Sequence, residues 1–325
     1  MFDKLFFWLE CSRWYALPMS IFSWFVVFSY ALQTDGNVIN GIIALVGICF
    51  AHLATNLFDD FFDFNTLKKN LDENGRISLP NTQRGKCRYL LDNKVKLKEV
   101  FGVVCIYSAI AFLIGLYFYF IGYHKVLWFM LLASFVVITY PVMSNIRLSE
   151  LMVGIAYGPL LFGGVYYVMT GKLPLEVFIL AIPSTIFTIN LLFTDMFLDK
   201  ELDKNEGKKT FVGLFKSDET VFGFQTLLIT IAYLSVFLIP IFDIADWEVF
   251  FTLLTIPLAL DLSKSLKMYS EDKTQIPEKK WFHFPFEDWD DIEKNRSQAF
   301  MFRMYQARNL MIYSSIILAV TIWFS

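Results

Sequence analysis

The sequence has few residues that could bind a transition metal or form a disulfide framework. Its four cysteines stand at positions without the spacing of metal ligands: Cys11, Cys49, Cys87 and Cys105. The three histidines form no H-E-x-x-H pattern. A zinc hydrolase and a disulfide-rich secreted fold are therefore both disfavoured.

The sequence patterns of a membrane β-barrel and of a cleavable signal peptide are also lacking. The sequence shows no sustained alternation of apolar and polar residues, which a membrane β-barrel requires. Residues 1–10 do not combine a basic stretch with a small-residue cleavage site, so we expect no cleavable signal peptide.

Hydrophobic residues, in contrast, are abundant throughout the chain. They make up 56% of the 325 residues, aromatic residues make up 18%, and the mean hydropathy is +0.50, a composition that soluble domains rarely show. Apolar runs long enough to cross a bilayer as helices recur at about 16–33, 38–58, 99–122, 125–143, 150–170, 174–194, 220–242, 246–262 and 309–324. The sequence therefore predicts an all-α polytopic membrane protein, one domain over 1–325 with about nine transmembrane helices.

The distribution of positive charge predicts how these helices are oriented. Of the 28 Lys and Arg residues, only Lys125 and Lys172 follow an odd-numbered span. By the positive-inside rule the N-terminus is cytoplasmic, the C-terminus lies outside, and two long loops at about 64–98 and 263–308 are cytoplasmic. The second loop carries an aromatic and acidic stretch at 281–291, which is an interfacial anchor or, alternatively, a lid or partner contact.

Two acidic clusters at the ends of predicted spans two and six are the most informative feature of the chain. The first cluster contains Asn56, Asp59, Asp60 and Asp63, and the second contains Asp195, Asp199 and Asp203. At about 100° per residue, each set falls on one face of a helix. Ionisable groups beside a membrane are costly, so two such one-sided sets indicate a functional site.

Closely spaced carboxylates repel each other, and a hard divalent cation between them relieves that repulsion. Mg²⁺ accepts one or two carboxylates together with water and phosphate oxygens, so the two clusters could hold Mg²⁺ and a diphosphate. Seven basic residues near these spans could contact phosphate oxygens, although positive-inside topology alone explains any one of them: Arg13, Arg84, Lys86, Arg88, Arg147, Lys208 and Lys209.

These motifs resemble the UbiA superfamily of intramembrane aromatic prenyltransferases. The pattern Asn56-x-x-Asp59-Asp60-x-x-Asp63 is similar to the first motif of that family, and residues 195–210, with the trailing Gly207-Lys208-x-Thr210, are similar to the second. The resemblance implies nine transmembrane helices around a central cavity.

The chain looks most like the menaquinone branch, the 1,4-dihydroxy-2-naphthoate polyprenyltransferases. The supporting residues are Tyr140-Pro141, Leu148, Glu150, Gly158-Pro159, Gly163, Tyr166-Tyr167-Val168 and Thr170-Gly171. The chain departs from the family in having Trp14 after Arg13, Asp59 where Asn is usual, Asp195 where that branch tends to carry Asn, and Leu67 in place of a further acid.

The resemblance implies that Asn56, Asp60, Asp63, Asp195 and Asp199 hold Mg²⁺ bound to a polyprenyl diphosphate. Of these, Asp60, Asp63, Asp195 and Asp199 are the expected catalytic residues, whereas Asp59 and Asp203 are metal ligands or neighbours of the ligands. His52, four residues before Asn56, and Tyr140 are expected to line the acceptor cavity. The implied reaction is electrophilic substitution on an aromatic acceptor.

Other partners and functions stay open at the level of sequence. The acceptor could be 4-hydroxybenzoate, a porphyrin or a glycerol phosphate lipid precursor in place of 1,4-dihydroxy-2-naphthoate. A cation or phosphate transporter and an inactive scaffold are further alternatives, although transporters usually bind their substrates near the bilayer midplane. The expected surroundings are the lipid bilayer of the cytoplasmic membrane, and no nucleic acid partner is expected.

Overall fold

A computed structural model describes residues 2–69, 87–144, 146–205 and 209–325, and its regular secondary structure in these ranges is helical. The principal helices are α1 (Phe2–Cys11), α2 (Pro18–Gln33), α3 (Val38–Lys69), α4 (Leu97–Phe120), α5 (Val126–Ser144), α6 (Ser149–Thr170), α7 (Leu175–Leu198), α8 (Asp218–Ile241), α9 (Trp247–Glu271) and α10 (Gln298–Phe324).

The helices α2 to α10 form a ring. Each of them packs against the next one along the chain, and α10 packs against α2, which closes the circle. Eight of these helices, counted over the described residues, are long and apolar enough to cross a membrane, and α5 contributes a shorter apolar stretch, Val126–Tyr140. The prediction of an all-α fold with about nine membrane helices is thus confirmed.

Local signals in the sequence set several helix boundaries. Pro18 occupies the first turn of α2, where its missing N–H is no loss. The side-chain oxygen of Asn37 accepts a hydrogen bond of 3.0 Å from the N–H of Asn40 at the start of α3. The hydroxyl of Ser217 accepts one from the N–H of Thr220 at the start of α8. Gly171 follows α6 with a φ of 74°, the left-handed conformation that favours glycine.

One membrane helix, α6, is irregular in its middle. Ala156–Leu160 form a π-helical turn in which Gly158 has non-helical angles, φ −94° and ψ −106°, and the next residue, Pro159, has no N–H to donate. A Cβ atom at Gly158 would lie 2.5 Å from the hydroxyl oxygen of Thr185, so the glycine is needed for α6 to approach α7 at this point. The irregular turn changes the direction in which its residues face.

The last two membrane helices are longer than the sequence predicts. α9 continues to Glu271 and α10 begins at Gln298, so the segment between them, here called the strap, spans only 272–297 and not 263–308. Charged residues such as Lys264 and Arg303 interrupt the apolar runs and hide these helical ends in the sequence. The guanidinium of Arg303 is nonetheless fully buried within α10.

The strap contacts α9 and α10 through side chains, as Lys280 does with Asp261 and Glu287 with Arg308, and also through its backbone. Arg303 donates hydrogen bonds to the carbonyl oxygens of Ser265, at 2.7 Å, and Gln275, at 3.1 Å. Asn309 donates to the carbonyl oxygens of His283, at 2.7 Å, and Pro285, at 3.0 Å. Buried polar groups of α10 are therefore paired with main-chain acceptors, which fixes the path of the strap.

Candidate active site

The first acidic motif lies against the junction between α1 and α2. One terminal nitrogen of Arg13 donates to the carbonyl oxygen of Asn56 and to a carboxylate oxygen of Asp60, both at 2.9 Å, and lies 3.4 Å from Asp59. The side-chain amide of Asn56 donates to the carbonyl oxygen of Ser12 at 3.0 Å. Arg13 reaches this position in a left-handed conformation, with φ 56°. The chain just before α2 thus holds the motif in place.

Asp60 is the most deeply buried member of this motif, with 0% of its surface exposed. While Arg13 binds one carboxylate oxygen, the other accepts hydrogen bonds from the Cys87 N–H, at 3.1 Å, and the Tyr89 hydroxyl, at 3.0 Å. Burial, together with the charge of Asp60, raises the pKa of Tyr89, so its hydroxyl stays protonated and donates. Both oxygens of Asp60 therefore bind protein groups, whereas Asp59 keeps a carboxylate that is 17% exposed.

The second acidic motif runs through the end of α7 into the short helix Lys200–Asn205. Backbone hydrogen bonds connect Asp199 to Asp195, at 3.0 Å, and Asp203 to Asp199, at 2.9 Å, so the helical repeat predicted from the sequence is present. Asp195 is partly exposed, while Asp199 and Asp203 are buried. Two ion pairs flank the motif: Lys200 with Asp218 of α8, and Glu201 with Lys273 of the strap.

Both motifs lie near Tyr15. This tyrosine is close enough to Asp60 of the first motif and to Asp195 of the second for both carboxylates to act on it electrostatically. Tyr269 of α9 is close enough to Asp199 of the second motif for that carboxylate to act on it electrostatically. The ring of helices thus brings the two motifs to the same end of the molecule, as their positions in predicted spans two and six require.

The structure separates the basic residues that the sequence proposes as phosphate contacts. Arg13 is bound to the first motif, and Arg88 is largely exposed and pairs with Asp92 at 3.6 Å. Arg147 is half-buried, and its Nε atom has no hydrogen-bond partner among the described residues. Lys209 is exposed. Arg84, Lys86 and Lys208 lie outside the described residues.

His52, expected to line the cavity, lies among polar groups from two other helices. Its Nδ1 atom is 2.8 Å from the hydroxyl oxygen of Ser20 and 3.1 Å from that of Tyr157. Tyr140, the second residue expected at the cavity, is close enough to Tyr157 to act on it electrostatically. The structure therefore brings His52 and Tyr140 into one region and adds Ser20 and Tyr157.

The donor set of the two motifs suits Mg²⁺, because it consists of carboxylate and amide oxygens. Over the described part of the chain, no three acidic, histidine or cysteine side chains converge on one point to form a complete metal cage. Mg²⁺ does not need such a cage, since it usually takes one or two carboxylates and completes its shell with water and substrate phosphate. The residues therefore suit a Mg²⁺ ion for which each motif supplies only some of the ligands.

Several residues of this site are not apparent in the sequence. No spacing rule connects Tyr15, Ser20, Tyr89 and Tyr157 to the acidic motifs. Only Tyr157 has a local signal, because Gly158-Pro159 directly after it predicts an irregular turn.

The chain belongs to the UbiA prenyltransferase family, whose model matches residues 18–285. It is consequently an integral membrane protein, in agreement with its apolar helices. No curated protein matches the chain.

Solved structures with the same fold include other members of this family. A digeranylgeranylglyceryl phosphate synthase has a TM-score of 0.62 at 13% identity, with 99% of this chain and 100% of that chain covered. The apo structure of a UbiA homologue from Aeropyrum pernix K1 has a TM-score of 0.62 at 16% identity, with coverage of 93% and 98%. A UbiA homologue from Archaeoglobus fulgidus bound to DMAPP and Mg²⁺ has a TM-score of 0.57 at 14% identity, with the same coverage.

Proposed function

We propose that this protein transfers a polyprenyl group from a polyprenyl diphosphate to an aromatic acceptor in a reaction that depends on Mg²⁺. The observation that carries the proposal is that both acidic motifs lie near Tyr15, at one end of the helix ring. Membership of the UbiA prenyltransferase family supports it, as do related structures that contain DMAPP or GPP with Mg²⁺.

In the proposed reaction Asn56, Asp59, Asp63, Asp195 and Asp199 hold Mg²⁺, which neutralises the negative charge of the diphosphate as it leaves. Asp60 acts on this site indirectly. Its carboxylate orients Arg13, and Arg13 in turn donates a hydrogen bond to the carbonyl oxygen of Asn56. The apolar helices keep water from the allylic cation, which would otherwise be hydrolysed. Arg147, Lys209, Arg84, Lys86 and Lys208 are the proposed diphosphate contacts.

The proposed acceptor is 1,4-dihydroxy-2-naphthoate, as in menaquinone biosynthesis. Its support is the resemblance of residues 140–171 to that branch of the family. A glycerol phosphate lipid precursor is the main competing acceptor, since a digeranylgeranylglyceryl phosphate synthase shares the fold over the whole chain.

The test uses purified protein in detergent with Mg²⁺, a labelled polyprenyl diphosphate and, in separate reactions, 1,4-dihydroxy-2-naphthoate, 4-hydroxybenzoate or a geranylgeranylglyceryl phosphate. Mass spectrometry identifies the product, and reactions with EDTA provide the control. We expect a demethylmenaquinone-type product, no product with EDTA, and recovery when Mg²⁺ is restored. Failure of all three acceptors would contradict the proposal.

We further propose that the acidic motifs open to the cytoplasm, with the N-terminus inside and the C-terminus outside. The asymmetry of Lys and Arg between the two ends of the spans supports this orientation. Reporter fusions after Lys94 and after Ser325 test it, since the proposal requires an internal signal from the first and an external signal from the second. A cytoplasmic signal at Ser325 would contradict it.

A further inference from the structure

Three polar side chains from three membrane helices meet inside the ring. Ser20 of α2, His52 of α3 and Tyr157 of α6 form the Ser20–His52–Tyr157 cluster. His52 Nδ1 lies 2.8 Å from the Ser20 hydroxyl and 3.1 Å from the Tyr157 hydroxyl. Polar groups are costly in this apolar setting, so a cluster that joins three helices calls for a functional explanation.

The cluster lies next to the first acidic motif. His52 and Tyr157 are surrounded by protein atoms, yet both side chains retain accessible surface that a ligand can touch. His52 precedes Asn56 by one helical turn, which places it about 6 Å deeper along α3. Arg13 is near enough to act electrostatically on His52. A molecule touching the cluster would therefore reach towards the diphosphate end of the cavity.

The geometry of the cluster leaves room for one more hydrogen-bonding partner. Both hydroxyls are grouped around Nδ1 of His52, whereas Nε2 makes only a long contact of 3.4 Å with Tyr157 among the described residues. A neutral imidazole has one donor and one acceptor nitrogen, so a ligand hydroxyl can either donate to His52 or accept from it. Tyr157 owes its position to the π-helical turn Ala156–Leu160, a type of irregularity that is frequent at functional sites.

We propose that the Ser20–His52–Tyr157 cluster binds a hydroxyl group of the prenyl acceptor and takes up the proton of that hydroxyl during transfer. This inference rests on the proposed function. The C–O bond of the prenyl diphosphate breaks, and its electron pair leaves with the diphosphate. A ring carbon of the acceptor forms the new C–C bond while the hydroxyl proton moves to His52. The proton of the substituted carbon passes to the departing diphosphate, and the His52 proton returns to oxygen, which restores the aromatic hydroxyl.

The ligand class is a hydroxylated aromatic ring. A ring held by its hydroxyl at His52 extends towards Asn56, so a carbon beside the hydroxyl-bearing carbon faces the metal-binding end. An alcohol of a glycerol phosphate lipid could offer the same hydroxyl, in which case a C–O bond would form in place of the C–C bond. Comparison of the two acceptors in the binding experiment distinguishes these sources.

The decisive measurement is binding of 1,4-dihydroxy-2-naphthoate and of its dimethoxy analogue to the full-length protein in detergent, by isothermal titration calorimetry. Tyr157→Phe and Ser20→Ala each remove one hydroxyl without a change of shape. Tyr166→Phe and Ser23→Ala are matched controls, because Tyr166 bonds Thr34 at the other end of the ring and Ser23 has no hydrogen-bond partner among the described residues. A geranylgeranylglyceryl phosphate is titrated in parallel.

We expect Tyr157→Phe to weaken binding of the dihydroxy compound about tenfold, with the analogue unaffected, because Tyr157 no longer orients the His52 ring that accepts the proton of the ligand hydroxyl, and a methoxy group has no such proton to donate. His52→Gln should lower kcat more than Tyr157→Phe does, and binding of the polyprenyl diphosphate with Mg²⁺ should stay within about twofold in every variant. Tighter binding of the glyceryl phosphate would assign the cluster to an alcohol acceptor and overturn the aromatic assignment.

Two failures are distinguishable. In the first, the wild-type protein transfers the prenyl group, but the variants lose affinity equally for the dihydroxy compound and its analogue, or lose no affinity for either. The inference about the cluster is then wrong, and the proposed function stands. If the wild-type protein binds the diphosphate but prenylates no acceptor, the proposed function fails, and the inference fails with it.

Discussion

The two acidic motifs are stabilised by different parts of the molecule. The first is stabilised by buried contacts. Asp60 is fully buried, and its carboxylate accepts hydrogen bonds from the Arg13 guanidinium, the Cys87 N–H and the Tyr89 hydroxyl. The second is flanked from outside, by ion pairs of Lys200 with Asp218 and of Glu201 with Lys273, and their members are partly or largely exposed.

This difference separates two tasks that carboxylates with the same spacing can perform. A buried carboxylate whose oxygens bind protein groups fixes a backbone position, because removing it leaves its partners without compensation. A carboxylate that keeps accessible surface can bind a metal ion or substrate. In the first motif we propose the structural task for Asp60, whose two oxygens bind protein groups, whereas Asp59 and Asp63 remain partly exposed. In the second motif Asp195 is partly exposed and Asp199 is buried.

The largest effect on activity is expected from Asp195→Ala. It removes a carboxylate proposed to hold Mg²⁺, so turnover should fall by about 10²–10³-fold while the thermal midpoint stays close to that of the wild type. Turnover by mass spectrometry and unfolding by scanning fluorimetry check both parts. Glu219→Ala, which removes an exposed carboxylate at the start of α8, is the control and should keep full activity. Near-normal turnover of Asp195→Ala would refute its assignment.

Asp60→Ala should reduce activity and stability together. Loss of the buried carboxylate leaves Arg13 and Tyr89 without their partner, at a cost of about 3 kcal/mol in the free energy of unfolding. The thermal midpoint in detergent should therefore fall by several degrees, unlike that of Asp195→Ala. An inactive Asp60→Ala protein with an unchanged midpoint would place Asp60 among the metal ligands after all.

Tyr89→Phe sharpens the contrast within the first motif. It removes one donor to Asp60 and leaves the other two, so the expected loss is about 1 kcal/mol of stability with a modest fall in turnover. Tyr166→Phe provides the comparison for loss of a tyrosine hydroxyl elsewhere. Equal midpoints for the wild type and Tyr89→Phe would show that this hydrogen bond contributes nothing to stability.

Lys273→Ala should have the smallest effect. Both partners of its ion pair are largely exposed, so removal should change stability by about 0.5 kcal/mol or less and turnover by less than about twofold. Fluorimetry at low and high salt, with Lys294→Ala as a second exposed pair, is the check. A large loss of turnover in Lys273→Ala alone would show that the strap positions the second motif.

Most of the fold could be predicted from the sequence, because apolar runs and positive charge report membrane helices directly. The errors lie where helices continue beyond the apolar region, at the end of α9 and the start of α10. There, Arg303 is buried by main-chain contacts that no local pattern announces. Spacing likewise predicted the faces of the acidic motifs.

The division of labour within the motifs could not be predicted. Asp59 and Asp60 are adjacent in sequence and both contact Arg13, so their neighbours in space, the Cys87 N–H and the Tyr89 hydroxyl at Asp60, distinguish them. The partners of His52 could not be predicted either, because Ser20 and Tyr157 lie 32 and 105 positions away from it in the sequence. Long-range contacts of this kind depend on how the helices pack, which composition and periodicity do not specify.

The backbone contacts of the strap have a consequence for sequence divergence. Arg303 and Asn309 bind it at the carbonyl oxygens of Gln275, His283 and Pro285, and every amino acid has such an oxygen. Substitutions at exposed strap positions, such as Trp281 at 86% exposure, therefore leave these contacts in place. Related proteins can consequently alter the outward surface of the strap while the helices beneath it remain unchanged.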